Sequence, residues 1–160
     1  MNAPDRSRSL MLAGFVLFIL ALVTGILVTV LPNPRQGLSS HLTGVMNAMF
    51  LVLLGLAWER LRLGARAASA AFGLALYGTY ANWGFNLLAS ILGTGSMTPL
   101  VAGGRVGRPW QEAVVNTGLV TLSLSILACG LIVAWGLRKP AGETAAVPVR
   151  GSQPGALTPG

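Results

Sequence analysis

Residues 9–31 read SLMLAGFVLFILALVTGILVTVL, twenty-three positions without one ionisable side chain. At about 1.5 Å of rise per residue, a helix of that length crosses the roughly 30 Å of hydrocarbon in a bilayer. Lipid offers a bare backbone no hydrogen-bond partner, so such a run is stable there only as a helix, and it lacks the alternation of a barrel strand. Three more runs repeat the pattern, at Ser40 to Trp58, Ala67 to Leu92 and Ala113 to Leu137. The expectation is an all-α membrane protein, a four-transmembrane-helix antiparallel bundle. Composition agrees: 53% of the 160 residues are hydrophobic and 9% charged, too apolar for a soluble domain. Arg6 and Arg8 precede the first run as they would in a signal peptide, but its apolar stretch is longer than such a core and no cleavage pattern follows before Pro32. It is expected to remain as the first span.

The net charge of +7 is an orientation signal and not a nucleic-acid footprint. Arg6, Arg8, Arg60, Arg62, Arg66, Arg138, Lys139 and Arg150 share one side of the four spans, and only Arg35, Arg105 and Arg108 lie on the other. The positive-inside rule then places both termini in the cytoplasm, in a bacterial inner (plasma) membrane. Trp58, Trp110 and Trp135 fall at helix ends, where indole rings anchor at the interface, while Trp83 lies inside a span. The single cysteine, Cys129, rules out an intrachain disulfide.

Residues 1–139 therefore read as one transmembrane domain. From Pro140 to Gly160 the chain is Pro, Gly, Ala and Ser without apolar periodicity, and a disordered tail is expected. Pro32 to Leu38, with Pro-Asn-Pro and Gly37, reads as a tight loop between antiparallel neighbours. Gly93 to Gln111 is longer and rich in glycine, and is expected to fold over the outer helix ends. Ala67 to Ala71 with Gly73 and Gly78 reads as a face for close helix packing.

Polar residues inside lipid are costly and mark function. His41, the only histidine, stands at the mouth of the second run, with Asn47 six positions further in. Counting from the outer face at about 1.5 Å per residue puts Asn47 roughly 10 Å deep, Asn86 about 9 Å, Asn82 about 15 Å and Asn116 about 6 Å. Three helices thus supply carboxamides to one half of the membrane. Glu112 lies near the outer surface on the stripe of Asn116, and Arg35 near the outer mouth. Tyr77 and Tyr80 read first as aromatic packing, though either hydroxyl could face a bundle cavity.

The block Asn33-Pro34-Arg35-Gln36-Gly37-Leu38-Ser39-Ser40-His41-Leu42-Thr43-Gly44-Val45-Met46-Asn47 resembles the matching segment of the small membrane hydroxylaminobenzene mutases, and the likeness runs from residue 9 to about 137. That resemblance implies conversion of N-phenylhydroxylamine-type aryl hydroxylamines, small aromatic substrates, into 2-aminophenols. A more distant resemblance, through the His41 and Asn47 spacing and Ala81-Asn82-Trp83-Gly84-Phe85, is to the membrane styrene oxide isomerases. It implies that His41 is an axial ligand of haem b, that Asn47 faces the substrate, and that the chain forms a homo-oligomer, a trimer. The aspartate and tyrosine that line the epoxide isomerases' site on the third helix are replaced here by Gly78 and Asn86.

Together these assign His41, Asn47 and Asn86 to catalysis, with Asn82, Tyr80, Asn116, Arg35 and Glu112 binding substrate or supporting. His41 reads either as the ligand of a Lewis-acidic haem or as a direct acid and base. An epoxide-to-aldehyde isomerase is the nearest alternative reading. A non-catalytic haem or quinone carrier of the bis-histidine type would need a second chain, because this one has no second histidine. Proton-coupled transport is disfavoured, since no Asp or Glu lies within any of the four runs.

Overall fold

The computed structural model describes residues 2–138. Lys139, Arg150 and the expected tail at 140–160 lie outside the described residues. Every regular element among the described residues is helical: α1 (Ala3–Leu27), α2 (Pro34–Ala57), α3 (Ala65–Leu92), the short α4 (Pro99–Ala102) and α5 (Pro109–Arg138), with 3₁₀ turns at Val28–Val30 and Trp58–Arg60. Three segments are long and apolar enough to cross a membrane: Ala3–Val30, Pro34–Arg60 and Pro109–Arg138. Counted as a span in the sequence, α3 has the length at 28 residues but is more polar, and buries Thr79, Asn86 and Ser90.

Helix starts differ from the hydropathy boundaries for a local reason. Asn2 accepts a bond from the Asp5 amide and Asp5 answers the Asn2 amide, a capping box that carries α1 through its charged first turns to Ala3. Asn33 caps α2 by accepting from the Gln36 amide, and Pro34 occupies the first helical position, where its missing N–H costs nothing. The Pro-Asn-Pro segment read as a loop is thus a helix start, and His41 sits two turns inside α2 instead of at its mouth. Gly93, in the left-handed conformation at φ 67°, ends α3.

The long helices pack in the order α1, α2, α3, α5, each against the next, and α5 makes no extensive contact with α1. The α1–α2 seam is closed by glycines: a Cβ on Gly14 would lie 2.7 Å from Val52 Cγ2, and one on Gly55 2.7 Å from Met11 Cγ. On the α3–α5 seam, a Cβ on Gly78 would meet Ile126 Cγ1 at 2.5 Å. Gly73, expected on the same packing face, has open space beside it. Leu10, Leu17, Leu51, Ala71, Ala75 and Cys129 are sealed in the core. Trp58 joins them at 4% exposure, edge-on to Phe72, so it does not anchor at the interface as expected; Trp110 and Trp135 are exposed.

Candidate functional site

Three hydrogen-bonded contacts set the register of α2 against α3. Asn33 and Ser90 exchange bonds (Asn33 N to Ser90 O, 3.2 Å; Ser90 Oγ to Asn33 O, 2.7 Å), Gln36 meets Asn86, and Ser40 Oγ donates to Trp83 O at 2.9 Å. Each step inward on α2 is therefore a step back along α3. His41 is level with Asn82, whereas Asn47 comes level with Leu76, about 15 Å along the axis from Asn86. The sequence depths put Asn47 and Asn86 together because they counted α2 from Ser40 and not from Pro34.

His41 is half-buried, and its Nδ1 lies 2.8 Å from the carbonyl oxygen of Ala21 on α1. A carbonyl only accepts, so Nδ1 is the donating ring nitrogen, and in the neutral ring the lone pair lies on Nε2. Asn47 follows about 9 Å further along α2 and about 120° around it, on the edge turned to α3. Its Nδ2 is buried without a hydrogen-bond partner. Between them, Gly44 is the point where three helices meet: a Cβ there would lie 2.7 Å from Ala21 Cβ and 2.8 Å from Trp83 Cδ1. Trp83 reaches across to α1, its Nε1 donating to Thr24 Oγ1 at 3.0 Å.

Asn82 and Asn86 are brought together as the sequence expects, but in a chain of amides that begins elsewhere. Thr98 Oγ1 donates to Gln36 Oε1 (3.4 Å), Gln36 Nε2 to Asn86 Oδ1 (2.9 Å), and Asn86 Nδ2 to Asn82 O (2.8 Å) and Oδ1 (3.1 Å). Gln36 is fully buried and Asn86 is 7% exposed. Sequence reasoning missed Gln36; the signal was Asn33-Pro34, which makes Gln36 a first-turn residue of a helix and not part of a loop.

Glu112 and Asn116, in the first turns of α5, hold the loop that joins α3 to α5. The Glu112 carboxylate accepts from Gly95 N (3.0 Å), Ser96 N (3.1 Å), Ser96 Oγ (2.7 Å) and Gly107 N (2.8 Å), and Asn116 Nδ2 donates to Ser96 Oγ. At 30 residues α5 is longer than the hydrocarbon is thick, and Glu112 precedes its apolar run, outside the membrane-spanning part. The Ser96 hydroxyl, with burial opposing and the three backbone amides assisting, holds its carboxyl down at about 2. Arg35 is exposed in the first turn of α2. Tyr80 donates its hydroxyl to Ala13 O on α1 at 2.8 Å, and Tyr77 pairs with Thr121 at 2.7 Å.

No group of three or more His, Cys, Asp or Glu suited to holding a metal ion occurs among the described residues. A haem needs only one protein ligand, and His41 fits that role: Nδ1 is tied to a backbone carbonyl, the usual way a protein orients a ligating imidazole, and Nε2 is left for iron. Exposed Leu38 and Leu42 beside it suit an apolar macrocycle.

The family model for styrene oxide isomerase matches residues 6–138. The hydroxylaminobenzene mutase HabB of Ectopseudomonas oleovorans is 50% identical over 157 residues, covering 97% of this chain and 95% of its own. The hydroxylaminobenzene mutase HabA of the same organism is 41% identical over 126 residues, 78% of this chain and 93% of its own. No solved structure matches.

Proposed function

The chain belongs to the styrene oxide isomerase family, and from that premise we propose that it is a membrane-bound isomerase converting N-phenylhydroxylamine-type aryl hydroxylamines to 2-aminophenols. The observation that carries the reading is the 50% identity to a hydroxylaminobenzene mutase across 97% of the chain. Gly78 adds a steric reason to set the epoxide reaction second: the position that holds an aspartate in the resembling epoxide isomerases is filled here by packing against Ile126.

The reaction is an isomerisation without net redox change. The N–O bond breaks, a C–O bond forms at the ring carbon ortho to nitrogen, and the proton that carbon sheds is balanced by one gained at nitrogen. The departing oxygen needs an acid, and the cation left on the arylamine needs dipoles and no competing water. His41 presents Nε2 to the reaction centre. Asn47, with an unpaired buried donor, hydrogen-bonds the oxygen, and Asn82, level with His41, orients the amine and ring while Asn86 holds the Asn82 amide in place from the next turn. Tyr80 supports the site from the next turn of α3, while Arg35 and the loop held by Glu112 and Asn116 cover its outer side. Haem b, when bound at His41, supplies Lewis acidity toward oxygen.

The arrangement we infer around this site is a four-helix transmembrane bundle with both termini cytoplasmic, in a bacterial inner membrane. The eight-to-three distribution of basic residues supports that orientation. A homo-oligomer, a trimer, is what the resemblance to the epoxide isomerases implies.

The test is anaerobic incubation of membranes carrying the wild-type chain, His41→Ala or Asn47→Ala with N-phenylhydroxylamine, and quantification of 2-aminophenol. Formation that depends on His41 supports the reading. Full activity in His41→Ala at equal protein level overturns its assignment, and styrene oxide turnover without mutase activity would install the epoxide reaction instead.

A further inference from the structure

Gly25 stands one helical turn after Ala21 on α1, and a Cβ built on it would lie 2.7 Å from His41 Nδ1 and 2.8 Å from Cε1. No real side chain sits that close, and the atoms it would strike belong to the ring itself. Glycine inside a helix is unfavourable relative to alanine, so its presence here wants a reason. The Ala21 carbonyl already receives the Gly25 amide through the helix ladder, and its remaining lone pair is what His41 Nδ1 meets at 2.8 Å. The imidazole reaches that carbonyl only by lying over the bare Cα of residue 25.

We propose that Gly25 is a positioning residue for His41: its missing side chain admits the imidazole to the Ala21 carbonyl, and that bond fixes the Nδ1–H tautomer and leaves the Nε2 lone pair for the reaction centre. The inference rests on His41 being the working group of the isomerase. It holds whether Nε2 acts as a base or as a ligand, because both need that nitrogen unprotonated. Gly44, one turn further along α2, makes the same kind of close approach to Ala21 and Trp83, but no hydrogen bond of His41 depends on it.

His41 is the only histidine, so full-length protein labelled with ¹⁵N-histidine in lipid nanodiscs gives one imidazole to observe. The wild type is expected to show Nδ1–H with an unprotonated Nε2, bare or metal-bound; an Nε2–H tautomer would overturn the proposal without any variant. Gly25→Ala is expected to shift the tautomer population toward Nε2–H and to lower kcat roughly 10–100-fold, with KM within about twofold. Gly73→Ala, at a position with nothing within 4 Å, is expected to keep wild-type turnover. Wild-type tautomer and kcat in Gly25→Ala would overturn the positioning role. If Gly25→Ala does not fold, the wild-type tautomer alone decides. Full activity of His41→Ala would sink the functional reading instead, and leaves a different signature from either result at Gly25.

Discussion

Gln36 Nε2 donates to Asn86 Oδ1 at 2.9 Å across the α2–α3 seam, with Gln36 wholly shielded from solvent. An interhelical hydrogen bond inside a membrane is worth only about 0.6 kcal/mol on average. Truncating one partner is different, because the other is left buried and unmet at about 1–3 kcal/mol. That desolvation cost outweighs the bond itself, so Gln36→Ala is expected to lower stability by about 1–3 kcal/mol. Thermal unfolding of the variant beside the wild type in the same detergent checks it, and an unchanged midpoint would show that Asn86 finds another donor.

The loop between α3 and α5 depends on one carboxylate. Glu112 accepts four bonds from Gly95, Ser96 and Gly107, which staple both ends of the loop to the start of α5. Its carboxyl is depressed from 4.5 to about 2 in the folded protein, so its stabilising contribution is complete above 4.5 and is lost as pH falls toward 2. Glu112→Gln replaces one accepting oxygen by a donating NH₂ that faces donors. The expected outcome is faster hydrogen exchange at Gly95, Ser96 and Gly107 at neutral pH, with little change in the amides of α1. In the wild type the same amides should lose protection only on acidification below 4.5; a loss centred near neutrality would contradict the assignment.

Gly78 is one of the two positions at which the resemblance to the epoxide isomerases breaks. A side chain there would collide with Ile126 on α5, and its Cβ would also come within 3.4 Å of that residue's backbone nitrogen. Gly78→Asp is therefore expected to reduce folded yield by overpacking and by leaving a carboxylate between two helices, a cost of at least about 1–3 kcal/mol. Gly78→Asp with Ile126→Ala should recover monodisperse protein relative to the single variant, since the steric part of the penalty is removed. Equal yields for the single variant and the wild type in size-exclusion profiles would show that α3 and α5 can separate.

Hydropathy locates the long helices, three of them apolar enough to cross a membrane, and the run at 9–31 leaves little choice. It misplaces helix starts because caps are polar: Asn2 and Asn33 extend α1 and α2 into segments that read as flanking charge and loop. From that error follows the pairing error at the candidate site, since moving the start of α2 moves Asn47 away from Asn86. His41 and the Asn82–Asn86 stripe are visible as isolated polar positions in apolar runs. The partners that decide what they can do, Ala21 for His41 and Gln36 for Asn86, are a backbone carbonyl and a residue of the misread loop, and neither carries a signal in composition or periodicity.

Asn47 separates stability from function. Its Nδ2 is buried with no acceptor, so it gives the fold nothing for that donor and carries a desolvation cost of about 1–3 kcal/mol. Asn47→Leu removes the unpaired amide while keeping similar volume, and Ala48 and Leu51 beside it show that apolar side chains pack at this level of α2. Stability is expected to stay level or to rise, as it does when a strained functional group is removed. If Asn47 hydrogen-bonds the hydroxylamine oxygen, turnover should fall by roughly 10²–10³-fold, the scale of losing one donor to a developing oxyanion. Unfolding midpoints and 2-aminophenol rates on the same preparations give both numbers. A variant that is less stable and fully active would mean that the Asn47 amide serves the fold and not the substrate.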